Sequence, residues 1–518
     1  MKRYFIGFMT ALLVSCAFSP SLSVSAEKPL VIAFRGDAAI LDPHARGETV
    51  TLSIQSHIYE RLLYFDMNLK MIPQLAESWK NINDLTWEFK LKKGVKFQNG
   101  EPFNASSAKF SLERAKTWAK SQFKGFVPNY KEIVVVDEHT FRFICQNPEP
   151  ELPLMLTEIS MVPEKYFKDH DDMFLSRNAC GSGPYKLVEW VKDDHIKLAY
   201  NPNWHGGKVD FEEVIIRPIP DDAARVAGLL SGEIDVCWAV SIPDIPRVER
   251  NPRTHIKRCP SQRIIYLMLD VYTDKGGPAP KMQPGLPPGA PNPFKDIRVR
   301  RAVAHSINLE EIIKYVMDGS AYPASQVLSN FAPDYNPNIK RPAYDPKLAK
   351  KLLAEAGYPN GFASNFDVTN DAYINDVQVA EAIAGQLGKI GIRMKVISQP
   401  KAVFFPKIER FESPIFLIGW GSLSWGITVD TRYNPSRSNR GRFYDPVLER
   451  RIKEANREMD PEKRKKLRWE VMRDATETYY CIPLYYQENV NGYSSRVEGN
   501  CRVTEYILAQ ELKKAKTR

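Results

Sequence analysis

Apolar and polar residues alternate one for one over residues 85–91: Leu85, Trp87, Phe89 and Leu91 are separated by Thr86, Glu88 and Lys90. A period of two puts every second side chain on one face and predicts a half-buried strand. Asn99-Gly100 then predicts a turn, and Ala108, Leu112 and Ala115 return at helical spacing. Residues 30–35 form a short apolar strand, broken by Gly36-Asp37 and followed by Leu41-Asp42-Pro43-His44. Strands are also predicted over 131–136, 140–145, 185–189 and 195–200. Residues 211–259 read as βαβαβ. A strand spans 211–219, and Asp221 caps a helix that ends at Gly232. A strand over 233–240, a short helix over 244–249 and a strand over 255–259 complete the unit. Such alternation predicts parallel strands with helices packed on the sheet.

The second half of the chain is richer in helices. A strand over 263–269 leads to residues 275–293, whose Gly and Pro content predicts an exposed loop. Asp296 caps a helix over 297–307. Asn308 and Glu311 open another in the manner of a capping box, with Ile312, Ile313, Val316 and Met317 inward and Gly319 at its end. Asp345-Pro346 opens a helix whose inward residues are Leu348, Leu352, Leu353 and Ala356. A helix over 376–387, strands over 392–398 and 414–420, a charged helix from Pro446 and a strand over 482–486 follow. The 518 residues exceed what one core usually carries, so two or more lobes are expected.

The formal net charge is +10, but Lys and Arg are spread along the chain and mixed with Asp and Glu. No groove-binding motif accompanies them, so no nucleic-acid partner is expected. The N-terminus reads as an export signal over 1–26: Lys2 and Arg3, then an apolar stretch from Phe5 to Val14, then Val24-Ser25-Ala26. Cleavage after Ala26 is the favoured reading. Leu13-Val14-Ser15-Cys16 offers a lipid anchor at Cys16 as the alternative. No later segment reaches the ~18 apolar residues of a membrane span. Six cysteines remain outside the signal, without CxxC or zinc spacing. Cys237 and Cys259 fall on successive predicted strands and are the expected disulfide pair.

The block from Pro73 to Ala115 resembles the family 5 extracellular solute-binding proteins, the dipeptide- and oligopeptide-binding group that serves ABC importers. Gly181-Ser182-Gly183-Pro184-Tyr185, Asn201-Pro202-Asn203-Trp204 and Ile482 to Tyr486 carry the same resemblance. It implies an α/β fold of the periplasmic-binding-protein type, with two lobes of mixed sheets and the ligand in the interlobe cleft. Lobe I would comprise 27–262 and 481–518, with an inserted subdomain at about 48–178, and lobe II 263–480. The expected function is capture of a small solute by hinge closure in the periplasm. Delivery would be to permease subunits with a separate ATPase, by a monomer without cofactor. A sensor docking on a membrane receptor is the alternative, and a secreted enzyme a further one.

Enzyme motifs are absent: the sequence has no HExxH, GxSxG, P-loop or GxGxxG. Catalytic residues and metal ligands are therefore not expected. Ligands of open α/β sheets sit beyond strand C-termini. That rule places Trp420, Gly421, Ser422 and Trp425 at the cleft, with Arg35 and Asp37 after the first strand. Tyr266 at the crossover and Tyr486 at the return are added by the resemblance. Dipeptide-binding members carry an Asp shortly after the Gly-Trp pair, where this chain has Leu423. They also carry an Arg after the strand that here ends at Thr369, where Asn370, Asp371, Ala372 and Tyr373 follow. Burying an ammonium without a partner costs several kcal/mol. A modified peptide, an opine-like conjugate or an oligosaccharide is therefore expected rather than a free dipeptide.

Overall fold

The computed structural model describes residues 28–272, 291–433 and 440–516; the proposed signal, Cys16 and most of the 275–293 loop lie outside them. An eleven-stranded mixed sheet runs through the molecule. Its order is Ile392–Gln399, Phe362–Thr369, Ile415–Trp420, Thr254–Leu269, Cys481–Ser494, Val236–Cys237, Leu30–Phe34, Glu213–Pro218, His195–Tyr200 and Tyr185–Val191. Ala321–Pro323 pairs with the Cys481–Ser494 strand off that path. Among the described residues no helix is long and apolar enough to cross a membrane.

Two long antiparallel strands join the halves of the sheet. Residues 255–259 and 263–269, expected as separate strands, form one strand of 16 residues, Thr254–Leu269. Its partner Cys481–Ser494 has 14 residues. They pair from Thr254↔Ser494 to Pro260↔Glu488, then from Ile264↔Tyr486 to Met268↔Cys481, with register shifts between Pro260 and Ile264 and between Ile265 and Tyr266. Pro260 has no backbone N–H to give the ladder, and such a bulge bends a strand locally. One core surrounds the Leu30–Phe34 side and another the Ile415–Trp420 side.

The parallel strands of the predicted βαβαβ unit are parallel but not adjacent. Leu30–Phe34 lies between Glu213–Pro218 and Val236–Cys237 and pairs in parallel with both. The expected 233–240 strand shortens to Val236–Cys237. Asp221 caps its helix by accepting from Ala224 N–H, and Gly232 closes it at φ 83°.

The block that alternates so clearly forms its own small sheet, ordered Ala76–Asn83, Thr86–Leu91, Thr140–Cys145 and Tyr130–Asp137. Phe89 stacks on Phe141 at 5.0 Å, and Ala108, Leu112 and Ala115 of the helix Ala105–Thr117 are buried in the same core. Gly181 and Gly183 let this block meet the large sheet. A Cβ on either would lie 2.0 and 2.7 Å from the Ile58 carbonyl oxygen. Glu60 ties the two motifs together, accepting from Ser182 Oγ (2.8 Å) and Trp204 Nε1 (3.2 Å).

The disulfide differs from the expected one. Cys259 bonds to Cys501, with Cα atoms 5.8 Å apart. Cys237 and Cys259 cannot meet because the Cys481–Ser494 strand runs between theirs. Cys237 is instead a buried thiol packed with Val226, Leu229 and Val490. Burial pushes the thiols of Cys145 and Cys481 up to about 12 and those of Cys180 and Cys237 to about 11. Since the thiolate is the nucleophile, iodoacetamide at neutral pH should leave all four unmodified in the native protein. Peptide mapping should recover a linked Cys259–Cys501 pair. Modification of any of the four before denaturation would contradict this packing.

Candidate functional site

Between the two halves lies a narrow space of about 30 Å³, room for one water. The small block contributes Arg61, Tyr64, Leu154 and Glu158 to its wall, the crossover strand contributes Gln262, and the segment after Trp420 contributes Ser422, Leu423 and Ser424. Gly421 sits against the crossover, where a Cβ would lie 3.1 Å from Gln262 Cγ. Arg61 lies 5.1 Å over the Tyr64 ring, and its Nη1 donates to Ser56 Oγ at 3.2 Å. Burial pushes the Glu158 carboxyl above its ordinary value, partly opposed by the charge of Arg61.

The halves are joined across this space by Glu151. Its carboxylate accepts from Ser424 Oγ (2.6 Å), Trp425 N–H (3.1 Å) and Gly426 N–H (3.1 Å), the start of the helix Trp425–Tyr433. A carboxylate there meets the unsatisfied N–H groups and the positive end of the helix. Arg468 donates from Nη1 to Glu151 (2.8 Å) and to Asp334 (2.6 Å), almost fully out of water.

Glu149 stands beside this junction. Burial first, then the Glu151 charge, pushes its carboxyl up to about 8, with Arg468 opposing and Asp430 adding to the shift. The folded value exceeds the unfolded one near 4.5, so the stabilisation is full below about pH 4.5 and is lost as pH rises toward about 8. Between pH 5 and pH 8.5, wild type should lose on the order of 1–3 kcal/mol more unfolding free energy than Glu149→Gln. Equal pH slopes in urea titrations would show that Glu149 is ionised throughout.

Behind the 420–424 segment sits a second polar cluster. The Arg432 guanidinium lies 4.7 Å from the Tyr266 ring and 5.8 Å from the Trp420 ring, and its Nη2 donates to Tyr266 Oη at 3.1 Å. Buried N–H groups of Trp420, Arg432, Arg440 and Trp425, together with two of Arg468, have no acceptor among the described residues. Unpartnered donors here outnumber unpartnered acceptors, of which Thr428 Oγ1 and Asn456 Oδ1 are two. Tyr373 holds the strand end, its hydroxyl donating to Gly419 O at 3.3 Å, and Gly419 has no side chain because a Cβ would lie 2.5 Å from the Tyr373 ring.

The residues expected at the cleft divide accordingly. Ser422 lines the space and Gly421 abuts its wall. Trp420 and Tyr266 flank Arg432. Trp425 is 0% exposed: it starts a helix rather than a loop, and its ring lies under Arg468 at 5.0 Å. Arg35 pairs with Asp222 (3.1 Å), and Asp37 accepts from Trp190 Nε1 (2.9 Å) and Asp193 N–H (2.9 Å), so neither lines the space. Tyr486 is buried and donates to Leu328 O at 3.1 Å. Asp371, in the segment where dipeptide-binding members carry an Arg, accepts from Lys401 N–H at 2.7 Å. Sequence reading missed Glu151, Glu158, Arg432 and Arg468, and Glu151 alone carried a visible signal, an acidic residue just ahead of an apolar helical turn.

A family model described as bacterial extracellular solute-binding proteins, family 5 Middle, matches residues 70–441. The chain belongs to the family 5 bacterial extracellular solute-binding proteins. The glutathione-binding protein GsiB of Shigella flexneri serotype 5b is 26% identical, over 95% of this chain and 94% of its own length. The periplasmic binding protein DppA of Helicobacter pylori, solved with the peptide STSA, superposes with a TM-score of 0.80 at 24% identity, covering 94% of this chain and 98% of that one. MoaA of A. tumefaciens R10, solved with mannopinic acid, gives 0.79 at 25% identity, covering 95% and 100%. This family 5 protein captures a solute for an ABC import system and is not an enzyme.

Proposed function

We propose that the protein captures an anionic, amine-bearing conjugate, a modified peptide or an opine-like molecule, in the space between its two lobes. Lobe I would be 27–262 with 481–518, and lobe II 263–480. The observation that carries this reading is the set of buried, unaccepted N–H donors around Arg432 and Trp420. These donors stand just behind the 420–424 wall of that space; desolvated donors favour carboxylates, and Arg matches a carboxylate bidentately. Glu158 supplies one carboxylate on the facing wall for a single ammonium. Leu423, buried in the cavity wall, offers no charge where dipeptide-binding members place an Asp. A solute with one amine and two or more carboxylates satisfies both walls. GsiB is named as a glutathione-binding protein and MoaA was solved with mannopinic acid, both molecules of that kind.

The roughly 30 Å³ between the halves holds no solute, so entry requires opening at the Pro260–Ile264 bulge. The solute then stabilises the closed form by its differential affinity. We place the mature protein in the periplasm as a monomer, cleaved after Ala26. Lys28 supports this, being already tied down by Arg496 Nη2 donating to its carbonyl at 2.9 Å. The closed form docks on permease subunits whose ATPase is separate.

Calorimetry against glutathione, mannopinic acid, an ordinary dipeptide and a neutral oligosaccharide tests the reading. The anionic conjugates should bind at micromolar Kd or tighter, and the other two at least about tenfold more weakly. Submicromolar binding of the dipeptide, or preference for the oligosaccharide, would overturn it.

A further inference from the structure

Away from the cleft, the helix Pro461–Glu477 and the 336–342 segment border a half-open cavity of about 690 Å³. That is the volume of a small-molecule pocket. Ile339, Pro342, Ile482 and the Trp469 ring give it an apolar lining. Among its polar lining groups, basic side chains outnumber acidic ones. The Arg341 guanidinium donates from Nη1 to the Pro483 carbonyl, and no carboxylate pairs with it among the described residues. Burial, unopposed by any neighbouring charge, draws its pKa down to about 10. The Trp469 indole N–H is buried without an acceptor, and the Lys465 ammonium lies 5.1 Å from the Trp469 ring. Of the acidic side chains at this cavity, Glu470 pairs with Arg451 at 3.7 Å, while Glu462 and Glu477 are exposed. The wall is fixed from behind, where Asn336 donates to Trp469 O at 3.2 Å and accepts through its own carbonyl from Gln326 Nε2 at 2.7 Å.

A half-buried guanidinium with a single backbone acceptor and no carboxylate partner has donors to spare for a ligand. We propose that this cavity is a second ligand site, separate from the cleft, that takes an amphipathic organic carboxylate, with its carboxylate on Arg341 and its apolar body against Trp469. A cation would be repelled by Arg341 and Lys465. A neutral molecule would leave the guanidinium unpaired. Inorganic phosphate would satisfy the charge but leave the apolar lining wet.

Calorimetric titration of the purified protein with indole-3-propionate, its primary amide and inorganic phosphate tests the proposal. The acid should saturate one site, with amide and phosphate at least about tenfold weaker. Arg341→Gln should weaken the acid by about tenfold or more, and Lys465→Ala by a smaller, measurable factor. Lys465 is a partly exposed side chain whose loss leaves the fold intact, so it keeps the test sharp if Arg341→Gln folds poorly. Arg432→Gln should leave the acid's affinity unchanged, which separates this site from the cleft. Loss of binding in Arg432→Gln with retention in Arg341→Gln would assign the probe to the cleft and overturn the proposal. So would an amide or phosphate that binds as tightly as the acid, or no saturable binding up to about 10 mM.

Discussion

Arg468→Met is expected to cost about 3–5 kcal/mol of unfolding free energy, because it strips the counter-charge from buried carboxylates. Arg468 Nη1 holds Glu151 at 2.8 Å and Asp334 at 2.6 Å, and Glu149 is close enough to feel its charge. Methionine keeps much of the volume and none of the charge, so the effect isolates electrostatics. The loss should not stop at stability. Glu151 belongs to the small block and Arg468 to the opposite half, so the variant should also open the cleft. Urea titration and small-angle scattering of the ligand-free protein check both parts. A larger radius of gyration with a lowered urea midpoint is the expected pair of results. A stability change below about 1 kcal/mol would mean that Glu151 and Asp334 are held well enough by their other donors.

The second large effect concerns Arg432. Arg432→Gln should weaken capture of an anionic conjugate by about a hundredfold, the scale of a desolvated charge-assisted contact. The side chain is 2% exposed between Tyr266 and Trp420, and its Nη1 donates to Thr428 O at 2.6 Å within its own helix. Glutamine can keep that backbone contact and most of the packing, so ligand-free stability should fall far less than in Arg468→Met. Calorimetry gives the affinity and thermal melting the control. Unchanged affinity with lowered stability would make Arg432 a packing residue and remove the main support for an anionic solute.

Much of the fold was legible because it rests on local rules. The alternation over 85–91 became the strand Thr86–Leu91, and Asp221, Asp296, Asn308 and Asp345 each cap the helix they precede. Where the reading failed, the deciding contact was distant in sequence. Cys237 and Cys259 are close in the chain, but strand order follows pairing across 200 residues and more, and the Cys481–Ser494 strand separates them. Trp425 looked like a cleft residue because the segment after Trp420 reads as loop. The Ser424 hydroxyl, accepting from Ile427 N–H at 3.0 Å, instead starts a helix there and turns the indole inward. The cleft was half legible for the same reason. The end of an apolar strand marks where a ligand sits, but Glu151 and Arg468 meet across 317 positions and no local pattern announces them.

The paired long strands also bear on how such a molecule can be altered. Leu269 N–H donates to Tyr480 O at 3.1 Å, so the segment between them, which builds one end of the sheet, starts and finishes at the same rung of the ladder. A stretch whose two ends are hydrogen-bonded neighbours is topologically an insertion, and insertions with adjacent ends are the exchanges that chains tolerate best. The wall that carries Trp420 and Arg432 can therefore be transplanted between relatives as one cassette. The recipient would keep its own long strands and its own facing wall, and only its choice of cargo would change.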